Sequence, residues 1–145
     1  MSVCCYTCEM ADASAPQTGA ITGLAGVLVW TSEAGYGAMA HFYVDVLGLA
    51  PRTRRDGFVN FELGDQRLTL TVHSSLAGPA TDPLHVMINL AVDDIVAVHR
   101  RLAATGIPFL REPEQEPWGG WVATMTDPDG NLVQLFQLPA AGSSD

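Results

Sequence analysis

From residue 24 onward, short apolar runs alternate with polar punctuation, and the order in which the runs change period occurs twice. Residues 24–31 form a β-rich run. Residues 37–47 then set Met39, Phe42, Tyr43 and Val46 at the three- and four-residue spacing of one helix face. Gly48 predicts a left-handed cap on that helix, and Pro51 prevents its resumption. Residues 52–55, 58–63 and 67–73 follow as strands, the last two separated by a turn at Gly64-Asp65. A linker at residues 77–83, containing Gly78, Pro79 and Pro83, precedes a second round. Residues 86–92 are a strand, and Asp93 or Asp94 is placed to N-cap a helix with Ile95, Val98 and Leu102 on one face. Arg100 and Arg101 occupy the last turn of that helix, where cations suit the macrodipole, and Gly106 closes it. Residues 108–112, 120–126 and 132–138 supply three more strands. Asp127-Pro128-Asp129-Gly130 joins the last two with the composition of a tight turn, and by itself predicts a turn and no site.

Residues two apart on a strand share a face, so the regular apolar set of each strand should be the one that meets a helix. That assigns Val27, Val29 and Thr31 to the helix side, together with Leu68, Leu70 and Val72, then Val86, Ile88, Leu90 and Val92, and finally Val133 and Leu135. The opposite faces then carry Gly26, Leu28 and Trp30, with Thr69, Thr71 and His73. In the second round they carry His85, Met87, Asn89 and Ala91, with Leu132, Gln134 and Phe136.

Composition narrows the classes of partner. The 145 residues suffice for one substantial core and are too few for two ordinary domains. Sixteen acids against seven bases, with no lysine, give a net charge of −9, which disfavours nucleic acid and anionic membrane and mildly favours cationic small molecules. No apolar run approaches the ~20 residues that span a bilayer, and no signal-peptide pattern opens the chain, so a cytoplasmic location is expected. Cys4, Cys5 and Cys8 sit in a polar segment that reads as a disordered tail, three thiols without a nearby histidine to complete a zinc site. Met10, before Ala-Asp-Ala-Ser, also fits a start of translation.

Several pieces in a fixed order make the chain resemble the vicinal-oxygen-chelate superfamily of glyoxalases, bleomycin resistance proteins and dioxygenases. They are Phe42-Tyr43 followed by Val46-Leu47-Gly48-Leu49, the Val92-Asp93 strand exit, the helix end at 102–106, Pro117-Trp118-Gly119, and Asp127-Pro128-Asp129-Gly130-Asn131 with Gln134-Leu135 behind it. The resemblance implies an α+β fold of two βαβββ modules, residues 21–76 and 84–138, forming an incomplete β-barrel with helices outside. One domain would cover residues 21–139, with tails at 1–20 and 140–145. It also implies a ligand cleft inside and a homodimer. Metal-dependent members carry ligands on the first, fourth, fifth and eighth strands, and the matching positions here are Gly26, Thr69, Met87 and Gln134. Glycine has no ligand atom, threonine is a poor neutral one and methionine is too soft for hard divalent ions, so neither a metal nor another cofactor is expected.

Two functions are then expected in order. The first is a metal-free binder of the bleomycin-resistance type that sequesters an aromatic or cationic small molecule. It would use Leu28, Trp30, Met87, Trp118, Trp121 and Phe136 as apolar and stacking surface, and Thr69, Thr71, His73, Asn89 and Gln134 for orientation. The second is an enzyme of the same fold, a lyase, isomerase or dioxygenase, using His73 and His85. His73 would be its general base, and a relocated metal, if any, would lie on the two histidines with Glu62. A module without ligand would instead fill the cleft with Trp30, Met87 and Phe136. His41 and His99 lie on the helices with no partner visible in sequence.

Overall fold

The computed structural model describes residue 19 and residues 24–140, so Cys4, Cys5, Cys8, Met10 and almost all of both tails lie outside the described residues. Alternating apolar positions give β1 (Val27–Thr31), β2 (Pro51–Arg55), β3 (Phe58–Leu63) and β4 (Gln66–Val72), then β5 (Met87–Ala91), β6 (Phe109–Gln115), β7 (Trp121–Thr126) and β8 (Leu132–Gln137). Between β1 and β2 runs α1 (Tyr36–Ala40), continued by a π-helical segment His41–Val46, and between β5 and β6 runs α2 (Ile95–Ala103). A 3₁₀ turn, Pro83–His85, joins the end of the linker to β5. The strands make two four-stranded sheets of the same topology, β1-β4-β3-β2 and β5-β8-β7-β6. In each sheet the first strand pairs parallel with the fourth, and the other pairs are antiparallel. The two βαβββ modules expected from sequence are therefore present.

One apolar cluster serves both modules. Met39, Phe42, Tyr43 and Leu47 of the first helix pack with Val59, Phe61, Leu68 and Leu70, and Ile95 and Leu102 of α2 pack with Ala123, Met125, Val133 and Leu135. Asp94 is the N-cap of α2, accepting a hydrogen bond from the Ala97 N–H at 3.0 Å. Arg101 crosses between modules, donating from Nη1 to the Val46 carbonyl at 3.0 Å, and so satisfies an acceptor at the end of the first helix. Gly48 and Gly106 both have positive φ, +76° and +88°, where each helix turns out into its next strand.

Four expectations change. The first helix is α-helical only to Ala40, after which the Leu47 N–H bonds the Phe42 carbonyl at 2.8 Å in the wider i→i+5 pattern. Apolar residues four apart fit both turn widths, so spacing alone does not separate them. Strand β6 extends to Gln115 and does not stop before Pro113. It is an edge strand, and its register shifts between Arg111 and Glu114, where a proline costs no ladder hydrogen bond. Val86, expected in the core, is 65 % exposed because β5 begins only at Met87. Leu132, expected on the cleft face, is buried at the start of β8.

Candidate functional site

The sheet faces turned away from the helices carry the candidate ligand residues. On the first sheet, parallel register sets Leu28 beside Thr69 and Trp30 beside Thr71, and Leu28 and Trp30 are both exposed. Thr71 is already engaged, its hydroxyl donating to the Gly57 carbonyl in the β2–β3 turn at 3.2 Å. His73 follows β4 and extends its pairing, its N–H bonding the Thr31 carbonyl at 3.0 Å. Its ring stands edge-on to Trp30, 4.7 Å between centroids and 82° between planes. The Ser75 N–H donates to Nδ1 at 3.1 Å, so in the neutral ring the proton resides on Nε2.

On the second sheet three strands align polar side chains in one row. The Thr124 hydroxyl donates to Gln134 Oε1 at 3.4 Å, and Gln134 Nε2 donates to Asn89 Oδ1 at 3.2 Å. Asn89, Gln134 and Thr124 are cross-strand partners, so the row is set by strand register. It leaves the Asn89 amide N–H group without a partner among the described residues, on the strand face it shares with the exposed Met87. Beyond the row, Trp118 lies stacked on Phe136, 5.3 Å between centroids and 23° between planes. The turn that carries Trp118 is braced at its base, because Arg111 donates to Glu114 at 2.9 Å and Glu116 at 2.7 Å, and the Glu116 N–H bonds the Gly120 carbonyl at 2.8 Å. Gly120 is where the indole rests: a Cβ there would lie 1.8 Å from the Trp118 ring.

Not every candidate joins these faces. Trp121 shares its side of β7 with Ala123 and Met125 and packs against the core, away from Trp118 and Phe136. The alternation of β7 carries that signal, since Trp121, Ala123 and Met125 form its uniformly apolar side, while Val122, Thr124 and Thr126 form the other. His85 sits exposed in the 3₁₀ turn and pairs with Asp82 at 3.5 Å, while Glu62 pairs with Arg52 at 3.3 Å. His73, His85 and Glu62 thus form no metal-ligating group, and none of three or more such residues occurs among the described residues. His41 and His99 do have partners: His41 bonds Asp45 at 3.0 Å, and His99 lies against Glu112 and, at 4.5 Å, the Phe109 ring.

The metal positions implied by the resemblance do not fit a metal. At Gly26 a Cβ would stand 2.5 Å from the Arg67 carbonyl oxygen, so the backbone itself fills the space a ligand side chain needs. Gln134 is already engaged with Asn89 and Thr124, and Met87 offers only a thioether.

Sequence reasoning passed over a buried polar cluster that ties the modules together. Asp127 Oδ2 accepts from the Tyr43 hydroxyl at 2.8 Å and from Asn131 Nδ2 at 2.9 Å, and its Oδ1 accepts from the Asp129 and Asn131 N–H groups at 3.0 and 2.9 Å. Burial, reinforced by Asp127, holds the Tyr43 phenol far above its ordinary pKa, so it is a fixed donor. Asp129 Oδ2 accepts from the Thr31 hydroxyl at 2.7 Å. The only signal in the sequence was the Asp-Pro-Asp-Gly turn itself, whose partners lie 84 and 98 positions away.

The profile of the Glyoxalase/Bleomycin resistance protein/Dioxygenase superfamily matches residues 34–135. A bleomycin resistance protein of Klebsiella pneumoniae is 32 % identical over 111 residues, 70 % of this chain and 83 % of that protein. Among solved structures, a lactoylglutathione lyase from Agrobacterium tumefaciens superposes with a TM-score of 0.63 at 20 % identity, covering 84 % of this chain and 98 % of that one. A glyoxalase/bleomycin resistance protein/dioxygenase from Nocardioides gives 0.65 at 22 %, covering 87 % and 89 %. At these identities the two structures share the fold with this chain.

Proposed function

Since the chain belongs to the Glyoxalase/Bleomycin resistance protein/Dioxygenase superfamily, in which resistance proteins and enzymes share one fold, we propose that it is a small-molecule-binding protein of the bleomycin-resistance type. It sequesters an aromatic or cationic ligand without a metal, on sheet faces that a homodimer would enclose. The observation that carries this reading is the second-sheet face, where the Trp118–Phe136 stack and Met87 offer open apolar surface beside the Asn89–Gln134–Thr124 row. The likeness to the Klebsiella pneumoniae bleomycin resistance protein supports bleomycin as the first ligand to try. Calorimetric titration of metal-free bleomycin into chelator-treated protein should show saturable binding that added divalent metal leaves unchanged. Trp118→Leu should weaken it by about tenfold, the scale of ~1.4 kcal/mol for losing one stacking partner. Absence of binding to bleomycin and to a panel of planar and cationic compounds would remove the proposal.

One observation favours the second reading, an enzyme of the lyase, isomerase or dioxygenase type. His73 is fixed through Nδ1 by the Ser75 N–H and braced against Trp30, which leaves Nε2–H as a positioned hydrogen-bond donor to a substrate oxygen. His85, held with Asp82 in the linker turn, would need a partner of its own to take part. Turnover of a substrate by the wild type that His73→Ala abolishes would establish this reading over the first.

A further inference from the structure

The first sheet carries a row of its own, set by register like the one on the second. Across β1, β4, β3 and β2, Trp30 pairs with Thr71, Thr71 with Phe58 and Phe58 with Arg55. Their strand neighbours Val29, Leu70 and Val59 pack in or against the core, so the row lies on the face turned away from the helices. The Arg55 guanidinium carbon stands over the Phe58 ring, 4.4 Å from its centroid, a contact that holds the cation in place by its face and leaves its N–H donors for another partner. At the other end the exposed Trp30 indole is met edge-on by His73. Thr71 between them is short and its hydroxyl is engaged with Gly57. Trp30 and Phe58 are therefore two strand spacings apart at their backbones, roughly 9–10 Å, with no large side chain between. The turn that presents Arg55 is fixed from two sides. The Tyr36 hydroxyl donates to the Arg55 carbonyl at 3.4 Å, and the Val72 N–H bonds the Gly57 carbonyl at 2.9 Å beside the Thr71 hydroxyl.

The charge of this face runs against that of the chain. Arg55 makes no ion pair among the described residues, the adjacent Asp56 included. On the same face Arg52 and Glu62 pair with each other at 3.3 Å, and Arg67, across from Glu62 in register, makes no ion pair. Arg52, Arg55 and Arg67 against Glu62 leave a local positive excess in a protein whose net charge is −9. The second sheet differs, because its Arg111 is neutralised by Glu114 and Glu116. A guanidinium held on an aromatic ring without a countercharge, at the border of an open aromatic surface, is complementary to a carboxylate carried on a planar ring. We propose that the first-sheet face binds an aromatic carboxylate, its carboxylate on the Arg55 N–H groups and its ring over Thr71 between Phe58 and Trp30. This site goes beyond the proposed function: it lies on the other sheet from the Trp118–Phe136 stack, and it takes an anion.

The test uses trans-cinnamate as probe, with cinnamamide and cinnamylammonium as its neutral and cationic counterparts, titrated into the full chain by calorimetry and by NMR of the indole N–H and arginine Nε–H signals. Cinnamate should bind and shift the Trp30 and Arg55 signals, and each counterpart should bind at least about tenfold more weakly. Arg55→Gln, at an exposed side chain of an edge strand, should lose about tenfold of cinnamate affinity. Trp30→Leu, also at an exposed side chain, should weaken binding too, and Arg67→Gln should lose less than Arg55→Gln. No binding of cinnamate, equal binding of the three probes, or undiminished affinity in Arg55→Gln or Trp30→Leu overturns the inference. So does an equal loss in Arg67→Gln, which would mark a diffuse field in place of a site. Loss of binding in Trp118→Leu with retention in Arg55→Gln would place the probe on the second sheet, overturning this site and leaving the proposed function standing. Binding of cinnamate as described by a protein that ignores bleomycin would do the reverse.

Discussion

Around Asp127, burial and hydrogen bonding pull the carboxyl in opposite directions. Desolvation is the larger influence and raises its pKa above the ordinary value, while the Asn131 and Tyr43 donors lower it less. A carboxyl with a raised folded pKa holds its proton more tightly in the fold than in the unfolded chain. Its contribution to stability is therefore greatest below the ordinary carboxylate pKa and is lost as pH rises through the shifted one. Urea denaturation of wild type and Asp127→Asn across that window should show the wild type losing stability relative to the variant as pH increases. A relative gain instead would mean that the four donors outweigh burial. The phenol is the simpler case. Tyr43→Phe keeps the ring that packs on Phe42 and Phe61 and removes only the donor, leaving a buried acceptor short of a partner. It should cost about 1–3 kcal/mol in the same assay, and a cost near zero would show that the bond contributes nothing net.

Elements were legible where one physical rule governed them. Strands β3 and β7–β8 and the N-cap of α2 follow from alternation and capping chemistry, and the residues at 28, 30, 69, 87, 89, 134 and 136 lie on the strands expected of them. Where two rules compete the sequence was silent: the first helix has a spacing that suits two turn widths, and β6 contains a proline that only its edge position makes harmless. The Trp118 turn shows how a glycine decides a surface. Gly120 permits the indole to lie on the sheet beside Phe136, so Gly120→Ala must lift it. The added Cβ would also stand 2.8 Å from the Gln137 carbonyl oxygen, so the variant should lose some stability as well, with altered near-ultraviolet circular dichroism from the unstacked rings and weaker ligand binding. An unchanged spectrum would mean the turn adjusts elsewhere. Close approach at Gly26 works against a side chain in the same way. Gly26→Gln, which places a metal-type donor at the family position, should destabilise the fold by about 1–3 kcal/mol without conferring metal affinity, as measured by denaturation and by calorimetry with zinc.

At the scale of the molecule, duplication was visible in the order of the elements, but the way the copies join was not. Composition marks Asp127-Pro128-Asp129-Gly130 as a turn, and it is one, with the Gly130 N–H bonding the Asp127 carbonyl at 2.9 Å. The same two aspartates also receive Tyr43 and Thr31 from the other module, a role that depends on docking and leaves no local pattern. No helix among the described residues is long and apolar enough to cross a membrane, and both helices contribute side chains to one core. That core, the two aspartate bonds and the Arg101–Val46 bond make separate unfolding of one module expensive, because it would expose the other's helix face and strand buried acceptors. The modules should therefore melt in one transition, with tryptophan fluorescence, which reports Trp30 in the first module and Trp118 and Trp121 in the second, coinciding with far-ultraviolet circular dichroism. A double-mutant cycle of Tyr43→Phe with Asp127→Asn should give a coupling of about 0.5–3 kcal/mol. Two resolved transitions, or a coupling indistinguishable from zero, would show that the modules are held by apolar packing alone and that the turn aspartates serve only their own hairpin.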